Sequence, residues 1–506
     1  MTTMPRPKSK NRFRNFVLLV LGALLLACIA LTIAYQKADK TPSELMRYVE
    51  HRLDGHPKLE SLAQPFITML RHQVERPIVT SGLPALGKGA LSDTLPPQQY
   101  AKDESPLPVD PSLRASTPAD ISAPFYVRNE FELRQAMAQA RPGQSIVLTP
   151  GTYPVAGPLQ TGTAGTAAQP ITVRAQRPGT VTVEFNTTEG FQIAHAFWIF
   201  ENLTIRGVCP SDEQCEHAFH VYGAAKSVVI RNNQIIDFNA HLKVNGLRNN
   251  WPDNGLAQHN TFTNTHRRAT QLPVTYIDIV GANRWVIADN IISNFSKSDG
   301  NQVAYGVFMK GASQYGRIER NLVVCSEHDI SQTGVRVGIS IGGGGTGHEF
   351  CRDKRCDTEH SHGVVANNIV AHCNDFGIDV NRSNQTLIAH NTLINTSGID
   401  VRQSISSAVI EGNLLEGRIR SRDGALIDSQ KNVLGHMRSY FNDPDHLDLK
   451  FLSPAPEVGS AQDIKNDFCQ RPRAANSFAG ALAMADNCMM QGALPLPSPP
   501  PRQDAR

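Results

Sequence analysis

Three polar residues, His220, Lys243 and Asp278, each stand between two apolar ones: Phe219-His220-Val221, Leu242-Lys243-Val244 and Ile277-Asp278-Ile279. Two positions further along the same short segments come Tyr222 and Asn245, and Lys310 holds that place in a later one. Residues that alternate in twos share one face of a strand. An imidazole, an ammonium, a carboxylate, a phenol and an amide side by side suit proton abstraction next to a carboxylate. Such chemistry needs a cation to neutralise the carboxylate, a base for the proton and an acid for the leaving oxygen. Lys243, flanked by His220 and Asp278, is the candidate base or charge neutraliser, and Tyr222 the candidate acid. Asn245, Asp278 and Lys310 are candidate binding residues. Arg248 and Arg267 join them from neighbouring loops that could line an anionic groove. The competing reading is a solvated cross-strand ion pair, which contributes little.

These residues share a face only if something holds their segments in register. Gly377-Ile378-Asp379-Val380 returns as Gly398-Ile399-Asp400-Val401, and an apolar residue followed three places later by Asn recurs along the chain. The pairs are Ile199/Asn202, Ile230/Asn233, Ala257/Asn260, Ile287/Asn290, Ile318/Asn321, Val365/Asn368, Ile388/Asn391 and Ile410/Asn413. A constant local motif at a variable step, longest across the insertion GGGGTGHEFCRDKRCDTEHSH, is the mark of a solenoid whose coils carry unequal loops. The segments are short, rich in Val, Ile and Thr, and alternate in twos, as strands do. Coils stacked at ~4.8 Å place like residues above one another, and a buried Asn can satisfy its amide on the Asn above and below. The expected fold is a mostly-β, right-handed, single-stranded parallel β-helix. One outward ladder then runs Gln192, His220, Lys243, Asp278, Phe308, Ser340, Asp379, Asp400, Arg420. The second runs Ala194, Tyr222, Asn245, Val280, Lys310, Gly342, Asn381, Arg402, Arg422.

The opening run FELRQAMAQARPGQSIVLTPGTYPV reads as an amphipathic segment, a Pro142-Gly143 turn, a strand and a second turn, which would cover the first coil. With PITVRAQRPGTVTVEF, FWIFENLTIRG and the closing LDLKFLSPAPEVGSA, this run resembles polysaccharide lyase family 6, the chondroitinase B and alginate lyase group, over roughly residues 125–480. The resemblance implies cleavage of an acidic, uronate-containing polysaccharide by β-elimination, using a Lys and an Arg. It also implies a Ca²⁺ held by acidic and amide side chains on adjacent coils. Acidic residues near Lys243 are few, Asp237, Asp253 and Asp278 being nearest, so the calcium ligands are absent or come from elsewhere. Two alternatives stay open: C5-epimerisation, which shares the proton abstraction, and a non-catalytic β-helix that binds glycan or assembles an envelope complex.

Charge and cysteine content place the chain outside the cytoplasm. The 506 residues carry a net charge of +3, and the basic excess lies in residues 1–15, where Arg6, Lys8, Lys10, Arg12 and Arg14 meet no acid. No clustered basic face suggests a nucleic-acid partner. Residues 16–35 are uncharged and, at ~1.5 Å per residue, long enough for a ~30 Å hydrocarbon core. They are expected to be an uncleaved transmembrane anchor, a cleaved signal peptide being the alternative. The β-helix then lies on the periplasmic or extracellular side of the cytoplasmic membrane. Residues 36–83 read as short helices, 84–124 as a Pro-rich linker and 481–506 as a tail. Apart from Cys28, eight cysteines fit four disulfides: Cys209–Cys215, Cys351–Cys356, Cys469–Cys488 and, across neighbouring coils, Cys325–Cys373. A zinc site drawn from His348, Cys351, Cys356, His360 and His362 is the weaker reading beside that disulfide with surface histidines. GGGGTG lacks the Lys-Ser/Thr of a phosphate loop and reads as a turn.

Overall fold

The computed structural model describes residues 124–489 apart from 328–332, 344 and 462–463. The anchor at 16–35 and the helical segment at 36–83 lie outside the described residues, as do nearly all of the linker and residues 490–506. Among the described residues no helix is long and apolar enough to cross a membrane.

The strands form three long sheets of 12, 10 and 11 members, and each coil gives one strand to each in turn. Neighbouring strands are parallel throughout these sheets, for example Val229–Arg231 beside Leu256–Gln258 and Gln234–Ile236 beside Thr261–Thr263. A strand that crosses over to a parallel neighbour does so right-handedly in nearly all proteins, so the coil is a right-handed parallel β-helix. The ten-stranded sheet runs from Leu159–Gln160 to Arg418–Arg422 and carries both outward ladders.

Inward positions stack as apolar rows. Ile230, Ala257, Ile287, Ile318, Val365, Ile388 and Ile410 are fully buried on successive coils of the first sheet. In the early coils phenyl rings fill the lumen, with Phe191 and Phe219 stacked at 5.1 Å. The first coil is closed by the helix Glu130–Gln139, whose Leu133, Ala136 and Met137 face the core. Asn129 caps it, its side chain accepting from the Glu132 N–H at 2.9 Å. At the other end the parallel coils stop at Val433–Leu434, and an antiparallel hairpin, Phe441–Asp443 with Asp448–Phe451, follows. Ala481, Leu482 and Met489 are buried with this segment in a second apolar cluster.

Each turn between the first and third sheets places one residue at positive φ, followed by the ladder asparagine. Asn232, His259, Asp289, Arg320, Asn367, His390 and Lys431 hold φ between 53° and 55°, and Gly412 holds 67°. The asparagine Oδ1 accepts from both the backbone N–H and the Nδ2 of the previous Asn. Its own Nδ2 donates back to a carbonyl of the previous coil. Asn290 shows the full set: Oδ1 accepts from Asn260 N at 2.9 Å and Asn260 Nδ2 at 3.1 Å, while Nδ2 donates to Ala257 O and Asn321 Oδ1, both at 2.9 Å. The row runs from Asn233 to Asn413 as expected, then on to Asn432. Asn202 is not in it. Leu203 pairs with Asn233 through its backbone N–H, and Asn202 occupies the preceding positive-φ position at 63°. The expected register slips by one there because Asn suits both places, the amide row and the left-handed turn.

All four expected disulfides are present, with Cα–Cα separations of 5.7, 4.9, 5.7 and 5.6 Å in chain order of their first cysteines. The histidines near Cys351–Cys356 are not all at the surface. His360 is buried against the Ser313 hydroxyl at 2.7 Å, and burial pulls its pKa down to about 3.

Replacing Asn290 by Leu removes four hydrogen bonds inside a buried row and leaves the groups of Asn260, Asn321 and Ala257 short of partners. A loss of about 1–3 kcal/mol is expected in chemical or thermal unfolding, against no change for an exposed asparagine.

Candidate functional site

Backbone pairing sets the outward ladder as the sequence predicts. His220 lies opposite Gln192 and Lys243, Lys243 opposite Asp278, and Asp278 opposite Phe308. The row continues through Ser340, Asp379 and Asp400 to Arg420. Tyr222 pairs with Asn245, Asn245 with Val280, and Val280 with Lys310 in the second row. The flanking residues Phe219, Val221, Leu242, Val244, Ile277 and Ile279 are fully buried, and this forces the polar residue between each pair outward.

Lys243 and Lys310 converge on one carboxylate. Lys243 Nζ is 2.5 Å from Asp278 Oδ2 and Lys310 Nζ 3.3 Å from Oδ1. Burial pushes the Asp278 carboxyl up, but the two lysines outweigh it and hold the pKa down at about 2. Two ammoniums around one carboxylate leave one excess positive charge in this cluster. The Lys310 ammonium also lies 4.1 Å from the centre of the Phe308 ring, a cation–π contact.

One coil earlier, His220 lies between Glu189 and Asn245. Nδ1 is 3.1 Å from Glu189 Oε1 and Nε2 is 2.8 Å from Asn245 Oδ1. Its ring centre is 4.8 Å from that of Tyr222, whose pKa is raised by burial and by Glu189, which keeps the phenol protonated. Glu189 itself is held far below the usual carboxylate range by His217 and His220. Glu189 and His217 were not expected in the site. Strict alternation sends residues 217 and 220 to opposite faces, but Ala218 and Phe219 are both buried in the core. The pleat breaks between them and both imidazoles come out on one side. Their ring centres are 5.2 Å apart.

The loop arginines divide. Arg248 is exposed three residues beyond Asn245, at the edge of the site face. Arg267 is tied into the fold. Its guanidinium donates to Lys297 O at 2.8 Å and to Thr333 O at 2.8 Å, so it ties loops of later coils together. The insertion that lengthens one coil supplies a wall the sequence did not suggest. Arg352 pairs with both Asp253 oxygens at 2.7 and 3.0 Å and lies 5.5 Å from the Trp251 ring centre. That indole covers Gly246 and Gly281, where a Cβ would come within 2.4 and 2.1 Å of the ring. Gly281 also holds φ at +74°, so a side chain there would be strained as well as crowded.

The far end of the ladder is a separate arrangement. Asp400 is fully buried between Arg420 at 3.2 Å and Arg422 at 2.6 Å. Burial pushes the neighbouring Asp379 up to about 6, Arg402 only partly offsetting it.

A calcium ion takes roughly six to eight oxygen ligands, and this face does not offer them. Asp278 is occupied by two lysines, and Asn245 Oδ1 faces an imidazole. Among the described residues the one convergent group of three His, Cys, Asp or Glu side chains is Glu189, His217 and His220, with two nitrogens among its donors. The residues present do not fit the calcium cage that the resemblance implies.

Asp278 gives a pH-dependent contribution. Its carboxyl is depressed from an ordinary ~3.9 to about 2, so the stabilisation is complete above pH 4 and lost as pH falls through 2. Asp278→Asn is expected to unfold more easily by roughly 2 kcal/mol at pH 7. In denaturant titrations the gap to the parent protein should close between about pH 4 and pH 2.

No curated protein is similar enough to this chain to match it. Among solved structures, the pectate lyase Pel9A is 12% identical with a TM-score of 0.50, over 72% of this chain and 97% of that one. A family 6 polysaccharide lyase from Pseudopedobacter saltans is 13% identical with a TM-score of 0.33, over 67% of this chain and 98% of that one. At such identity the first of these likenesses speaks for the parallel β-helix alone. The chondroitinase B family model matches residues 127–423, more than half of the chain and every coil that carries the polar face. The chain belongs to the chondroitinase B family.

Proposed function

We propose that this protein cleaves an acidic, uronate-containing polysaccharide by β-elimination on the face built from Tyr222, Lys243, Asn245, Asp278 and Lys310. Membership of the chondroitinase B family supports the substrate class. The observation that carries the reaction is the Lys243–Asp278–Lys310 cluster, with a protonated phenol on the coil before it.

In this reading the sugar carboxylate lies over the net positive charge, with Lys310 and the exposed Arg248 neutralising it. Neutralisation makes the C5 proton removable, because charge built up at C5 spreads onto the carboxylate. Lys243, once it has left Asp278 and given its own proton to solvent, takes the C5 proton. Lys310 keeps Asp278 paired while Lys243 turns to the sugar, so no buried carboxylate is left alone. The C5–H electron pair becomes the C4–C5 double bond, the bond from C4 to the glycosidic oxygen breaks, and Tyr222 gives its proton to that oxygen. Asn245 hydrogen-bonds the sugar and His220. His220 holds Asn245 through Nε2. Four disulfides support an oxidising compartment, and the uncharged residues 16–35 support a single-pass anchor that holds the β-helix outside the cytoplasmic membrane.

The test is a screen of uronate-containing polymers for the ultraviolet absorbance of unsaturated uronate. Lys243→Ala should lower the rate at least roughly 100-fold while glycan binding and the melting temperature stay near the parent's. Lys450→Ala, an exposed lysine in the C-terminal hairpin, should leave the rate unchanged. Asp400 is unsuited as that control, because it is buried between two arginines. Exchange of the C5 proton with solvent deuterium, without unsaturated product, would make the protein an epimerase. Binding with neither reaction would make it a glycan-binding module.

A further inference from the structure

Glu189, His217 and His220 present their ligand atoms within 4.8 Å of one another. His217 Nδ1 and His220 Nδ1 lie 3.6 and 3.1 Å from the same Glu189 oxygen, Oε1. A tetrahedral ion with bonds of about 2.0–2.1 Å separates its donors by roughly 3.3 Å. The two histidine-to-carboxylate separations are therefore close to those between a metal's ligands.

The outer partners point the same way. His220 Nε2 faces Asn245 Oδ1 at 2.8 Å, and the Asn245 Nδ2 is used on the Gly246 carbonyl at 3.1 Å, which keeps Oδ1 turned to the ring. His217 Nε2 faces the Glu216 carboxylate at 3.4 Å. A neutral imidazole has one N–H and one lone pair. Both Nδ1 atoms are buried with no hydrogen-bond partner, and both face the same carboxylate oxygen. A cation at the point where they converge would give both nitrogens a partner. Gln192 Nε2 donates to the other Glu189 oxygen at 2.5 Å, so the carboxylate is turned to offer Oε1 alone. Metal-bound imidazoles commonly have such an acceptor on the second nitrogen.

We propose that Glu189, His217 and His220 form a three-ligand site for a divalent transition ion of zinc's class. Two nitrogens and one carboxylate oxygen suit zinc, cobalt(II) or nickel(II) and are a poor match for calcium. The site stands on its own geometry. Its use, an open fourth position for a substrate oxygen one strand from Lys243, rests on the lyase reading above.

The experiment takes the full chain in detergent without a histidine tag, strips it with chelator and titrates it with cobalt(II), then zinc(II). One equivalent of cobalt should give intense visible bands of a four-coordinate ion, and one equivalent of zinc should abolish them. Calcium in large excess should not. Glu189→Gln and His217→Ala should each weaken binding at least ten-fold. Glu216→Gln, which leaves all three ligands in place, should weaken it about ten-fold through the His217 ring. His348→Ala, at an exposed histidine outside the site, should change nothing. No saturable one-equivalent binding would overturn the site. So would binding unchanged in Glu189→Gln and His217→Ala, or displacement of cobalt by calcium. A parent protein that binds cobalt but makes no unsaturated product would keep the metal site and defeat the lyase reading.

Discussion

Everything on the polar face depends on the register between coils, and the asparagine row is what fixes it. Each ladder Asn bonds the one before it twice and the one after it twice, so a slip by one residue breaks four buried bonds per coil. An unmet buried amide costs about 1–3 kcal/mol, so slipped registers are strongly disfavoured. A residue at positive φ precedes each Asn and aims the amide inward. With the corners held, strands of the ten-stranded sheet arrive at ~4.8 Å spacing, and chemistry spread over a hundred residues of chain becomes local.

On that frame the polar face is organised around sharing. Two lysines share Asp278, two imidazoles share one oxygen of Glu189, and two arginines share Asp400. The three clusters differ in what they leave over. At Asp278 the excess is one positive charge at a partly open surface. At Glu189 it is two buried ring nitrogens with no hydrogen-bond partner. At Asp400 the carboxylate is wholly buried, which makes that end of the ladder a structural device. The lysine and histidine clusters sit on adjacent strands, so a sugar bridging them would meet both.

The wall beside the face comes from outside the repeat. The insertion between Gly342 and His360 folds back so that Arg352 clamps Asp253 and covers Trp251, and the Arg352 N–H donates to Gly311 O at 2.9 Å. A coil that departs from the common length thus narrows one edge of an otherwise open sheet. Loops of this kind are where solenoids vary their binding surface without disturbing the stacked core.

The parallel β-helix, both outward ladders and the asparagine row from Asn233 to Asn413 are legible in the sequence, because each is a local pattern repeated once per coil. The four disulfides follow from close or coil-matched cysteine spacing. A polar residue between two apolar ones can face only outward, and repetition supplies the register. What breaks the pattern was decided by the tertiary structure. Asn202 falls in the turn because a left-handed corner accepts Asn as readily as the amide row does. His217 joins His220 only because Ala218 and Phe219 both enter the core, and no alternation rule foretells that interruption. Arg267 is taken by Lys297 and Thr333, carbonyls 30 and 66 residues later in the chain. Long side chains choose partners by distance in space, and only the folded coil sets that distance.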